Sequence, residues 1–399
     1  MGISGLKPLS DLKVIDLSRV LAGPLCGQML ADMGADVIKI EAPTGDENRK
    51  WGPFDADGES CNFMSVNRGK RGITLNLKDD RGRALLYQLL EQADVLIISF
   101  LPKTAADLGV DPETLRKRFP RLIIASVTAF GAQGPLADRP GYDSVVQAFS
   151  GIMAMTGERD GLPVRSGVSF IDMTTGVYAY GGILTALEGR RKTGEGDIVR
   201  VSLFETATGL LGYHAINWLE AGVLPRREGS GVWHLVPYQV FPCSDGEVLT
   251  GALNDATWQK LCAALERPDL AQDPTLASNT GRVEQRERVV AELNATFSER
   301  SVAFWSAQLE KFGVPIAPLN TVDATLQHAQ TQANEMVIEL TAQSGRPLRL
   351  LGSPFKLGST QNYAEVPPPR LGEHTRQVLQ ERLGLPADEV ERLVEEKVV

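Results

Sequence analysis

The chain has 399 residues, 43% hydrophobic and 23% charged, with a formal net charge of −9. That length and composition fit a soluble globular protein of two or three domains. The acidic balance excludes the basic footprint of a nucleic-acid binder, and no apolar run reaches the roughly 18 residues of a membrane span.

LKVIDLS (12–18) reads as a strand, and the break after it carries Gly23-Pro24, a turn signal. CGQMLADMG (26–34) has helical spacing and ends at Gly34, and DVIKIE (36–41) is a second strand. Together they make one βαβ unit with short loops, hence a parallel pair. After a loop over 43–70 come a strand at 72–78, a helix at 79–94 and a strand at 95–100. A helix at 112–120, a strand at 122–130, a small-residue helix at 174–190, a strand at 197–204 and a helix at 205–222 follow. Apolar strands alternating with helices predict an α/β fold, a Rossmann-like doubly wound parallel sheet covered on both faces.

Composition shifts after Gly222. A hairpin is expected over 238–253 around Asp245-Gly246, then helices near 255–265, 283–297 and 301–312 and a strand at 314–320. The expected division is a large domain begun by 1–224, a small α+β domain at 225–325, and a return to the large domain at 326–399. Cys26, Cys61, Cys243 and Cys262 are scattered and read as reduced packing thiols of a cytoplasmic protein. The opening MGISGLKPLSDLKVIDLS has no apolar signal core, so no secretory route is expected.

No G-x-G-x-x-G follows a strand, and no P-loop, H-E-x-x-H, Cys/His metal spacing or G-x-S-x-G is present. No metal and no permanently bound cofactor is expected. What stands out is Asp172, a lone carboxylate just before the small-residue helix. By spacing alone it reads first as a helix N-cap and second as a nucleophile.

The segments VIDLSRVLAGP (14–24), LADMGADVIKIEAPTGD (30–46), NRGKRGITLNLK (67–78), GYDSVVQAFSG (141–151), DMTTGVYAYGGILTALEGRRKTGEG (172–196) and LGEHT (371–375) stand in one order. Together they resemble the class III coenzyme A transferases, the family of formyl-CoA transferase and carnitine CoA-transferase. The resemblance implies an interlocked homodimer. Each chain would build a Rossmann-like domain from both its ends, with a smaller domain between. It makes Asp172 the nucleophile. It places CoA contacts on Val20, Leu21, Leu75, Asn76, Lys78, Ser99, Phe100, Leu108 and Tyr142. Arginines that relatives hold near the CoA phosphates correspond here to Asp107 and Ala42, which leaves Lys78, Arg71, Lys103 and Arg19 as cations. Gly229 and Gly231 would form a loop closing over the intermediate, and Arg71, Arg165 and His234 would meet the distal carboxylate of an acid. The GSGVWHLVPYQVF segment (229–241) looks like the subgroup that uses succinyl-CoA and small dicarboxylic acids. CoA then enters as part of a substrate, with acyl-CoA, a carboxylic acid and a second copy of the chain as the only partners, and no membrane or nucleic acid.

The chemistry calls for an aspartate. A serine would form an ordinary ester and lose the thioester's energy, whereas a carboxylate forms a mixed anhydride, which CoA thiolate reopens. Both carboxylates are expected to be ionised at neutral pH, so no general base is required. Oxyanion donors are expected from glycine N–H groups or the helix N-terminus. The nearest competing reading is an α-methylacyl-CoA racemase of the same fold, whose sequences carry a basic histidine in a GHD motif. Here that motif reads GYD (141–143), and tyrosine is a poor base at pH 7. Behind it stand an NAD-dependent dehydrogenase, whose glycine fingerprint is absent here, and a non-catalytic CoA-binding protein.

Overall fold

Six short strands assemble into one all-parallel sheet in the computed structural model, which describes residues 7–358 and 361–399. They are β1 (Lys13–Asp16), β2 (Asp36–Glu41), β3 (Lys70–Thr74), β4 (Val95–Ile98), β5 (Ile123–Thr128) and β6 (Ile198–Ser202). Their order is β3-β2-β1-β4-β5-β6. The order reverses between β1 and β4, and open sheets of this kind bind ligands at the strand C-termini beside such a reversal. Every residue of β4 is buried, as expected for a strand covered on both faces. Ile15, Ile38, Ile73, Leu96 and Ile124 share one core with Leu85, Leu86 and Leu89 of the helix Asp80–Leu90. The same core takes Val378 and Leu379 of the helix Thr375–Leu383, and Val390 and Leu393 of the helix Ala387–Glu395. The end of the chain thus belongs to the sheet it began.

The chain divides into two compact units. One is Met1–Ser150, Ser166–Leu210 and Ala329–Val399; the other is Gly151–Arg165 and Leu211–His328. The second unit has a three-stranded antiparallel sheet, β7 (Tyr238–Cys243), β8 (Gly246–Gly251) and β9 (Ile316–Pro318), in that order. Its core stacks Phe241 on Phe297, with ring centroids 4.9 Å apart, beside Trp258 and Leu261. An antiparallel pair, β10 (Val337–Thr341) and β11 (Pro347–Leu351), lies in the first unit. No described helix is long and apolar enough to cross a membrane.

Three local readings are corrected. The first helix runs Ala22–Asp32, so Gly23-Pro24 is its opening turn rather than a break. Proline is tolerated in a first turn because N–H groups there have no intrahelical acceptor. A Cβ on Gly23 would sit 2.3 Å from the Ser18 Cβ, so only glycine allows the turn to approach that close. The helix expected over 205–222 is two helices, Leu203–Leu210 and Tyr213–Ala221, separated where Gly212 takes φ 52°. The small-residue helix spans Phe170–Thr193, which puts Asp172 inside its first turn and makes Ser169 the N-cap.

That long helix packs closely on Ala22–Asp32 through Gly176, where a Cβ would lie 2.6 Å from the Ala22 carbonyl oxygen. The obstacle is backbone, which cannot swing aside. Gly176→Val is therefore expected to cost at least about 1–3 kcal/mol, read as a lower urea midpoint at unchanged m.

Candidate active site

A cavity of about 200 Å³ opens at the C-terminal ends of β1, β4 and β5. Its walls are the Arg19–Gly23 loop, Ser99–Leu101 with Thr104, Val127–Ala129, Pro140–Tyr142, Glu47, Leu203 and Asp172. This is the side of the sheet that the strand order singles out.

The loop after β1 is held from beneath. Val20 takes φ 69°, an uncommon conformation for a β-branched residue, and one that persists only where surroundings impose it. Its N–H donates to both Asp46 carboxylate oxygens at 3.2 Å, and its carbonyl accepts from Asn48 Nδ2 at 2.7 Å. Buried Lys39 donates to Asp46 at 3.2 Å and to the Ser18 carbonyl at 2.9 Å. Deeper still, Lys70 donates to Asp16 at 2.8 Å, and Asp16 accepts the Ser18 N–H at 2.9 Å. Buried hydrogen-bond networks of this kind rigidify what they touch.

Asp172 is buried, 8% exposed, in the first turn of its helix. Ser169 makes no side-chain cap. The capping is done from elsewhere: Asp143 Oδ2 accepts the N–H of Ile171 at 2.9 Å and of Asp172 at 3.1 Å. Those two N–H groups are therefore engaged, and the expectation that this helix N-terminus supplies oxyanion donors does not hold for them. The ionisation expected of Asp172 is also corrected. Burial first, and then the Asp143 charge, push its carboxyl up to about 7.

The consequence for stability has a definite sign. With a folded value near 7 against 3.8 when unperturbed, the native state holds the proton more tightly. That contribution is complete below the unfolded value and is lost as pH rises through about 7. Asp172→Asn removes the ionisable group. Its stability relative to the parent is expected to rise between pH 4 and 7 by at most about 4 kcal/mol, measured by urea unfolding at each pH.

Of the residues expected to touch CoA, Val20, Leu21, Ser99, Phe100 and Tyr142 line this cavity. Ser99 Oγ accepts the Arg19 N–H at 2.8 Å, and the Arg19 guanidinium lies 5.2 Å from the Phe100 ring centre. Arg19 is the single cation among the lining residues. Tyr142 is half exposed, donates its hydroxyl to Glu47 at 3.2 Å and meets Trp51 edge to face. Leu75 is instead buried in the sheet core, and Leu108 packs against that core. Asn76 donates its N–H to the Val398 carbonyl and accepts the Lys78 N–H, while Lys78 is exposed; neither lines the cavity. Arg71 is paired with Asp36 at 2.8 Å and Glu381 at 3.0 Å, also outside the cavity. Gly229, Gly231 and His234 belong to the second unit. There the two glycines line another cavity of about 230 Å³ with Tyr213, His214 and Trp233, and His234 packs edge to face on Tyr213 and Trp233.

Sequence reading missed Asp143, Gln147 and Glu47. A signal for the first two was present: Asp and Gln four apart in an otherwise largely apolar short helix share one face, and both are buried.

Comparison with known proteins identifies the family. The family model described as CoA-transferase family III matches residues 9–375. Succinyl-CoA:glutarate CoA-transferase of Mus musculus is 36% identical over 98% of this chain and 89% of its own. Succinate–glutarate CoA-transferase of Agrobacterium fabrum is 38% identical over 94% of this chain and 95% of its own. The crystal structure of a CAIB/BAIF family protein from Brucella suis matches with TM-score 0.85 at 38% identity, covering 94% of this chain and 99% of that one. The chain belongs to CoA-transferase family III and is a CoA transferase.

Proposed function

We propose that this CoA transferase moves CoA from succinyl-CoA to a small dicarboxylic acid through covalent intermediates on Asp172. The observation that carries the reading is a buried carboxyl in the wall of the cavity at the sheet's C-terminal edge. The ionised Asp172 attacks the thioester carbonyl; the C–S bond breaks, CoA thiolate leaves, and a mixed anhydride remains. The thiolate attacks the aspartyl carbonyl and releases the donor's acid as its carboxylate, leaving aspartyl-CoA. The acceptor carboxylate then expels the thiolate to give a second anhydride. Thiolate attack on the acceptor carbonyl finishes the new acyl-CoA and frees Asp172. Charges balance throughout, and no proton is exchanged with solvent. Because only ionised Asp172 attacks, the rate rises with pH through about 7.

Val20, Leu21, Ser99, Phe100 and Tyr142 hold the CoA arm in this reading, with Arg19 as the cation at hand. Gly229, Gly231 and His234 serve the acceptor, whose partners the names of the relatives suggest as succinate and glutarate. The racemase alternative fares worse. Tyr142 would have to act as base, yet the Glu47 charge, helped by burial, raises its phenol further above its usual value.

The assembly is an interlocked homodimer. Support comes from apolar side chains left exposed along the long helix, Met173, Val177 and Tyr178, and along Tyr213–Ala221, Ile216, Trp218 and Leu219. Light scattering at twice the chain mass tests it. The four free thiols support a reducing, cytoplasmic compartment.

The substrate reading is tested by a panel of succinyl-, acetyl-, formyl- and α-methylacyl-CoA donors against succinate, glutarate, oxalate and citramalate, read by mass spectrometry. Succinyl-CoA with glutarate is expected to give glutaryl-CoA fastest. Epimerisation of an α-methylacyl-CoA with no acceptor present would instead establish the racemase.

A further inference from the structure

We propose that Asp143 is a positioning residue for the transfer reaction, its ionised carboxylate clamping the turn that presents Asp172 and standing as the anion against which the nucleophile ionises. The inference rests on the reading of Asp172 as nucleophile.

Hydrogen-bond geometry presents both oxygens of Asp143 to donors. Gln147 is fully buried, and its Oε1 accepts the Ser166 N–H at 2.9 Å. That orients the amide so that Nε2 donates to Asp143 Oδ1. Asp143 Oδ2 meanwhile accepts the N–H groups of Ile171 and Asp172 at 2.9 and 3.1 Å. Both oxygens of Asp143 are therefore acceptors facing donors, in a site only 5% exposed. A protonated carboxyl, or an asparagine, would turn a donor toward another donor. Asp143 is held as a carboxylate, and the clamp acts on the backbone of the nucleophile itself rather than on a neighbouring turn.

An anion set beside a buried carboxyl raises that carboxyl's proton affinity, and a more basic carboxylate is the stronger nucleophile toward a thioester once ionised. Other titratable groups line the cavity or lie on elements packed against the long helix. Arg19, Glu47 and Tyr142 line the cavity, Cys26 and Asp32 lie on Ala22–Asp32, Arg200 on β6, and Glu205 on Leu203–Leu210. Among the described residues only Asp143 acts on Asp172 through its charge, adding to the larger effect of burial.

The test compares pH profiles of kcat/KM for succinyl-CoA in the full-length parent, Asp143→Asn and the double variant Asp143→Asn/Gln147→Glu. In the double variant, the amide placed at position 143 accepts from the two backbone N–H groups and donates to the carboxylate placed at position 147, whose other oxygen accepts from Ser166. Every bond is restored, and the anion moves one side chain away from Asp172. Asp143→Asn is expected to lose about 10- to 100-fold in rate, with the acidic limb moving down by about one pH unit. The double variant is expected to regain the parent's melting temperature while its limb stays low. A limb that does not move in the double variant overturns the proposal, because the Asp143 charge then does not act on the nucleophile. Asp172→Ala in the same assay separates the two claims. If it is inactive while the limb is unmoved, only the role of Asp143 falls; if it is active, the nucleophile falls too.

Discussion

Asp172→Ala is expected to lower kcat for CoA transfer by at least about 10,000-fold while leaving the acyl-CoA dissociation constant within about threefold. The asymmetry follows from where Asp172 sits. It contributes one carboxylate to a cavity whose other walls, from Arg19 to Leu203, are unaltered, so ground-state binding survives and bond formation does not. The other lining carboxylate, Glu47, is engaged by the Tyr142 hydroxyl and offers no substitute. Asp172→Glu retains the functional group but displaces it by about one carbon–carbon bond, for which a loss on the order of 100-fold is expected. Steady-state kinetics on both variants, with isothermal titration of acyl-CoA, check the pattern. Urea unfolding of both variants checks that they remain folded.

Lys70→Met is expected to be among the most destabilising single changes in the first unit, by about 3–5 kcal/mol. Lys70 and Asp16 are both fully buried, 2.8 Å apart. Lys70 also donates to the Pro24 carbonyl at 2.7 Å and to Asn67 Oδ1 at 2.8 Å. Burial pushes Lys70 down to about 8, with Asp16 opposing. Burial works against ionisation of Asp16 too, yet Lys70 and Lys39 hold its carboxyl below the usual range. Methionine keeps the volume and removes the charge, so Asp16 is left a buried anion without its ion-pair partner. The double change Asp16→Leu/Lys70→Met removes both charges and is expected to recover much of the loss. Urea unfolding of the three variants measures this. Acyl-CoA affinity should also fall in Lys70→Met, because Asp16 anchors Ser18 at the root of the cavity loop.

What local sequence could reveal, and what it could not, separates along the same physical line. DVIKIE was readable as β2 because an apolar run between turn signals has one stable placement in a parallel sheet. Val20, Leu21, Ser99, Phe100 and Tyr142 were reachable through the resemblance, and they do converge. Leu75 and Leu108 went the other way, since an apolar residue in a ligand-contact position and one in a core look alike until the sheet is built. The start of the long helix was misplaced because its cap is not local: Asp143 reaches it from 29 residues away. The charge state of Asp172 was invisible for the same reason, as burial and a neighbouring anion are tertiary facts. Gly23-Pro24 misled because a turn signal and a helix's first turn use the same two residues.

The most direct measurement is a covalent trap. The protein is mixed with succinyl-CoA alone, quenched with hydroxylamine, digested and mapped by mass spectrometry. A hydroxamate on the peptide carrying Asp172, dependent on the donor and absent from Asp172→Asn, is the predicted result. Turnover with a modification on another residue, or with none, would contradict the account.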